Sequence, residues 1–254
     1  AGLFNYLVRA GYLAGTPFAL QPRRRGARSS HRTIERYLDR ALWQDTLVRV
    51  EQWPQTTPRG RQRYERARWV LRFLYETALR ATEAAQAREG DFVHRRGRWW
   101  LHVTGKGGVE GDVPVSDALM ADFARYRTFH GLPALPAGDS VRPLILGIAG
   151  RTAPLTATAV YLVVKDALGR VADALAPTDD ARAARLRQAS THWLRHTAAT
   201  HQAEAGNPVH HIQHNLRHSS IATTSIYLHA EDDARHASTT QARVDVSRPL
   251  GERT

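Results

Sequence analysis

The sequence predicts a mainly helical α+β fold carrying one small antiparallel sheet. Three observations predict it. Apolar residues recur at helical spacing in long segments early and late in the chain, a central stretch from Asp91 to Val115 alternates Trp- and Val-containing runs with Gly turns, and Pro- or Gly-rich loops separate the segments. With 254 residues, 42% hydrophobic and 24% charged, the chain can bury one large core or two modest ones.

The elements follow in order. Phe4, Leu7, Val8, Tyr12 and Leu13 mark an amphipathic helix that runs to Gly15-Thr16-Pro17, and the basic run from Gln21 to Arg28 reads as a flexible connector. A domain boundary is expected there, with residues 1–22 on one side and 27–254 on the other. Helices are predicted at about Arg32 to Glu51 and Gln62 to Arg80, the second carrying Trp69, Val70, Phe73 and Leu74. Strands are predicted at Phe92-Val93, Arg98 to Thr104 and Asp112 to Val115, an antiparallel island among helices. Helices return at about Ser116 to Arg127 and Thr156 to Leu175, and a loop is expected around Pro177 to Arg187. A helix from Thr191 to Ala205 should stop at Gly206. Shorter ones are expected near Pro208 to Leu216, capped by Asn207, and near Ser219 to His229, with serines as caps.

Charge narrows the choice of partner. The formal net charge is +12, from 36 Lys+Arg against 24 Asp+Glu, so a polyanion is expected, and nucleic acid suits the pattern better than a membrane. Residues 1–40 hold eight Arg against Glu35 and Asp39, whereas residues 231–254 hold four Arg against five acids, so the first should face the polyanion and the second should face protein. No apolar run approaches the ~20 residues of a membrane span. The absence of Cys removes disulfides and thiolate metal clusters and suits a reducing interior. Residue 1 is Ala with no signal-peptide pattern after it, and a piece of a longer protein is expected.

Cleaving a phosphodiester needs a nucleophile, groups that neutralise charge on the nonbridging oxygens, and an acid for the leaving oxygen. His192 and Arg195, at i and i+3, share a helix face and can address one anion, with His218 and Tyr227 following. Arg80 and Arg195 offer forked donors, His218 a further donor, and Tyr227 a nucleophile able to form a phosphotyrosine. Lys106 sits in the turn Thr104-Gly105-Lys106-Gly107-Gly108, where glycines let a hairpin tip come close to DNA. Only Lys106 and Lys165 are lysines, while the other 34 basic residues are Arg, and an ammonium can give up a proton where a guanidinium cannot.

These residues carry a resemblance. Thr77-Ala78-Leu79-Arg80-Ala81-Thr82-Glu83 resembles the first arginine box of the tyrosine recombinases, also called the phage integrase family. His192-Trp193-Leu194-Arg195-His196-Thr197 is similar to the second box, and the segment from His218 through Tyr227 to His229 to the nucleophile segment. The resemblance implies a mainly helical tyrosine-recombinase catalytic domain over residues 27–254 with its C-terminal tail, preceded at residues 1–22 by the end of a core-binding domain and a linker. It implies that Tyr227 attacks the scissile phosphate to give a 3′-phosphotyrosyl bond and a free 5′-hydroxyl. Arg80 and Arg195 would hold the nonbridging oxygens with His218 assisting, Lys106 would protonate the leaving oxygen, His192 would act as base, and Glu83 would orient Arg80. No cofactor or metal is implied. The implied partner is double-stranded DNA, bound by a homo-oligomer that is a tetramer on paired sites, in the cytoplasm of a bacterial, phage or plasmid system.

The chain departs from the family's pattern in three places. Ala78 and Arg217 stand where the family usually has Gly, and Glu110, Gly111 and Asp112 stand where basic residues usually follow the hairpin lysine, which predicts a weaker hold of the hairpin on DNA. A type IB topoisomerase uses similar chemistry, and a non-catalytic DNA-binding module could share the fold, so both remain alternatives. Taken singly, a Tyr, His or Arg here is ordinary packing or surface pairing. His192 and His196, at i and i+4, also have zinc-ligand spacing, but without the H-E-x-x-H pattern or any Cys that signal is weak.

Overall fold

A computed structural model of the chain describes residues 6, 8–13, 36–105, 108–147 and 153–217. The chain divides into two units, Ala1–Thr33 and Ile34–Thr254. In the first, Tyr6, Val8 and Arg9 are helical, and the Ala10 amide donates to the Tyr6 carbonyl at 2.9 Å. The described part of the second unit is helical apart from one sheet, as the sequence predicts.

Helix α1 spans Arg40–Glu51, eight residues later than its expected start, because Asp39 caps it by accepting from the Leu42 amide at 2.8 Å. Of the rest of that expected helix, Arg36 to Asp39 are not helical and residues 32–35 lie outside the described residues. Helix α2 spans Pro58–Thr77, earlier than expected at both ends. Thr57 caps it and Pro58 occupies its first position, where the missing amide hydrogen costs nothing. It ends at Thr77 because Ala78 turns left-handed with φ 50°, so Arg80 is not on this helix but caps the six-residue helix α3, Ala81–Gln86, which the periodicity did not reveal.

The sheet has the order β1-β2-β3, with β1 Phe92–Arg95, β2 Arg98–Thr104 and β3 Glu110–Val115, all antiparallel. Its register aligns Phe92 with Leu101 and Leu101 with Val113, so one face is apolar and buried. Helices α4 (Asp117–Phe129) and α5 (Ala157–Leu175) follow, capped by Ser116 and Thr156. Residues 180–188, expected as loop, form helix α6, Asp180–Gln188, capped by Asp179. Only Ala183 and Leu186 are buried on it, too few apolar positions to register as periodic, and its packing against α5 holds it. Helix α7 is Thr191–Glu204, and Gly206 follows it with φ 77° as expected. Helix α8, Val209–Leu216, has Pro208 rather than Asn207 at its cap, with no side-chain capping bond. The helix expected near residues 219–229 lies outside the described residues.

Trp69 on α2 centres the main core. It is 1% exposed, stacks on Phe73 at 5.0 Å and Tyr126 at 5.8 Å, and donates its indole N–H to the Leu144 carbonyl at 2.8 Å. Trp69→Ala is expected to cost about 3–5 kcal/mol, since it opens a cavity and orphans that carbonyl; a melting temperature equal to wild type would contradict this account of the core. A second, smaller cluster of Ala78, Ala198, Ala199, Ala203, Ile212 and Leu216 joins the end of α2 to α7 and α8. It is this cluster that brings residues 78–83, 192–195 and 217 together.

Candidate active site

The site is organised around a buried carboxylate. Glu83, in the first turn of α3, is 3% exposed and accepts the Arg80 amide at 2.8 Å and Arg80 Nη1 at 2.7 Å, closing a capping box around the turn after Ala78. From the far end of the chain, Arg217 Nη2 reaches Glu83 Oε2 at 2.5 Å, and Arg195 Nη1 lies 3.9 Å from the same oxygen. Burial pushes the Glu83 carboxyl upward in pKa, but the Arg80 amide, the Arg217 charge and the Arg80 side chain outweigh it and hold the group below its ordinary value. Three guanidiniums therefore surround one carboxylate, and the excess positive charge suits an anion.

The two arginines predicted for phosphate binding differ in what they can offer. The Arg80 side chain is 41% exposed and ties one Nη to Glu83. Arg195 is buried; its Nη1 donates to the Ala78 carbonyl at 2.6 Å and its Nη2 to the Leu216 carbonyl. Those carbonyls close α2 and α8, where helix dipoles leave negative partial charge, so Arg195 clamps two helix ends together.

His192, on the first turn of α7, is exposed at one side, and its Nε2 lies 2.7 Å from Nε2 of His196. One ring must donate and the other accept. Partial desolvation, then the charges of Arg195, Arg36 and Arg80, lower the His192 pKa, so the imidazole is neutral at neutral pH and able to take a proton. Among the described residues no group of three or more metal-ligating side chains gathers, around this pair or elsewhere.

The β2–β3 hairpin closes over the same carboxylate. A Cβ added at Gly105 would stand in ordinary contact, 3.4 Å from Glu83 Oε1, and one at Gly111 would stand 3.3 Å from Arg217 Cδ, so Gly111 allows a close approach. One acid of the hairpin is paired within the sheet: Asp112 accepts from Arg95 of β1 at 2.5 Å and lies 3.0 Å from His102 Nδ1. His102, then burial opposed by Arg95, leave the Asp112 carboxyl below its usual value, so its charge is compensated within the protein.

The structure thus brings Arg80, His192 and Arg195 together, whereas Lys106, His218 and Tyr227 lie outside the described residues. Sequence reasoning missed Arg217 as a partner of Glu83, because the pair joins positions 134 apart. Both positions where Gly was expected, Ala78 and Arg217, have φ 50°. Ala78→Gly is expected to stabilise the protein by roughly 0.5–1 kcal/mol with cleavage retained; a fall in melting temperature would show that the Ala78 methyl packs for more than its strain.

The described residues thus form a helical domain whose turns and one hairpin converge on clustered arginines beside a histidine. Residues 42–234 match the phage integrase family model, and the chain belongs to that family. It is 31% identical over 225 residues to the tyrosine recombinase XerC of Mycobacterium tuberculosis, a match covering 88% of this chain and 67% of that protein. A XerC from a further Mycobacterium species is 32% identical over 164 residues, 65% of this chain and 49% of the relative. Among solved structures, the Tn1549 transposon integrase in complex with a circular intermediate DNA superposes with TM-score 0.60 at 17% identity, covering 94% of this chain and 76% of its own. The XerH site-specific recombinase bound to its difH substrate gives 0.58 at 19% identity, covering 82% of this chain and 53% of its own. The chain spans about two thirds of the curated relative and about half of XerH. These relatives are recombinases and integrases, which favours strand exchange over the topoisomerase-like and binding-only alternatives.

Proposed function

We propose that this chain is the catalytic part of a site-specific DNA recombinase that cleaves and rejoins double-stranded DNA through Tyr227. The observation that carries the reading is the convergence of Arg80, Arg195 and Arg217 on Glu83, with positive charge in excess, and a His192 imidazole that feels the charges of Arg80 and Arg195. In this reading the phenol oxygen of Tyr227 attacks the scissile phosphorus and passes its proton to His192. The bond from phosphorus to the 5′-oxygen breaks, and Lys106 supplies the proton that makes the leaving 5′-hydroxyl. Arg80 and Arg195 stabilise the nonbridging oxygens, with His218 as a further donor. The phosphotyrosyl bond conserves the energy of the phosphodiester, so religation needs no nucleotide, metal or cofactor. Residues 1–22 are the end of a core-binding domain with its linker. The partners are duplex DNA and further copies of the chain, four on a pair of sites, and the compartment is the cytoplasm.

The test uses nicked duplexes taken from the DNA flanking this gene. Incubation with the protein and a denaturing gel should show a covalent adduct with DNA. Tight binding without an adduct on any flanking duplex would favour the binding-only reading, and relaxation of supercoiled DNA without exchange would favour the topoisomerase-like one.

A further inference from the structure

We propose that Arg217 is a positioning residue of this site. It takes up the charge of the buried Glu83 carboxylate, leaves the outward face of the Arg80 guanidinium to a phosphate, and anchors the chain at the residue before His218. This inference rests on the reading of the site as a phosphodiester-cleaving centre.

Arg217 is an unlikely residue for where it stands. Its backbone has φ 50° and ψ 47° at the end of α8, a conformation that costs a side-chain-bearing residue energy and costs glycine almost none. Its side chain turns inward rather than to solvent and is 6% exposed. The stem lies against Gly111 of β3, Nη1 donates to the Asn215 carbonyl at 3.1 Å, and Nη2 donates to Glu83 at 2.5 Å. Nε is buried without a partner among the described residues. A strained backbone, a buried guanidinium and an unpaired donor together oppose this arrangement, and the pair with Glu83 is what offsets them.

The groups that face Glu83 define what that pair does. Arg80 approaches from its own turn, Arg195 from α7, Arg217 from the end of α8, and the Gly105 backbone from the hairpin. Without Arg217, Glu83 Oε2 keeps only the Arg80 amide at 2.8 Å and Arg195 at 3.9 Å. A buried carboxylate oxygen so poorly matched draws the second Nη of Arg80 inward, into the forked geometry that guanidinium and carboxylate favour. The exposed arginine of the site would then be occupied by protein. Arg217 prevents this, and the same contact fixes the end of α8 one residue before His218 in the sequence.

The test compares Arg217→Gly and Arg217→Lys with wild type. Glycine removes the charge while relieving the left-handed strain, so Arg217→Gly should fold, and lysine restores charge without the fork. On a flanking duplex that gives the wild-type adduct, Arg217→Gly is expected to bind DNA normally but cleave roughly 10- to 100-fold more slowly. The acid limb of its pH profile should move to higher pH, because Glu83 loses its foremost charge partner, and Arg217→Lys should restore the limb. Thermal unfolding across pH, which needs no DNA, should show the same displacement. An unmoved acid limb, or unfolding of Arg217→Gly with the wild-type pH dependence, overturns the proposal. A displaced unfolding profile of Arg217→Gly, with no adduct formed by the wild-type protein on any flanking duplex, supports the coupling and overturns the reading of the centre.

Discussion

Tyr227→Phe is expected to abolish covalent attachment to DNA, with a loss of strand cleavage on the order of 10⁶-fold, the scale on which enzymes fail when their nucleophile is removed. The phenyl ring keeps the size and apolar surface of tyrosine and lacks only the hydroxyl proposed as nucleophile, so duplex affinity should be unchanged. Mass spectrometry of proteolysed wild-type adduct should place the phosphodiester on the peptide containing Tyr227. An adduct on the Phe variant, or a linkage on another peptide, would move the nucleophile elsewhere and dismantle the residue roles built around it.

Glu83→Ala should be the most damaging substitution to the site that leaves the nucleophile intact. It removes the one carboxylate that Arg80 and Arg217 share, leaving the buried Arg217 without a counter-charge and Arg195 close by, while the partly exposed Arg80 can turn to solvent. Unmatched buried charge costs about 3–5 kcal/mol, or a fall of about 10 °C in melting temperature for a domain of this size. The pH dependence has a definite sign. Because the folded-state pKa of Glu83 is lowered, its contribution is complete above the ordinary carboxylate range and is lost as pH falls through the lowered value. Glu83→Gln should therefore flatten the acid side of the stability profile, and calorimetry across that range checks it; an unaltered profile would mean that Glu83 is not held ionised.

How much of this was legible in the sequence depended on range. The three strands were readable because their alternation and Gly turns are local, and the observed strands 92–95, 98–104 and 110–115 contain the expected ones. Helix α6 was not, since its capping signal Asp179 followed Pro177 and Thr178 and only two apolar residues marked its inner face. The placement of Arg80 failed for a related reason. Nothing local announces that Ala78 will turn left-handed, and that turn is maintained by the small core and by Arg195, which comes from 117 residues away. At the site, Arg80, His192 and Arg195, which the structure brings together, stood in short sequence boxes, while the pairing of Arg217 with Glu83 was not legible, because two charges distant in sequence leave no periodic trace.

Arg195 carries one more consequence. Its two Nη atoms are engaged by the carbonyls of Ala78 and Leu216. A carbonyl is a dipole rather than an ion, so it can immobilise a cation while cancelling little of its field. The Glu83 carboxylate stands farther off, 3.9 Å from Nη1, so the two carbonyls do most of the holding and the side chain keeps much of its electrostatic pull. An incoming polyanion therefore meets a fixed positive pole that is already in place, with little reorganisation left to perform at the moment of contact.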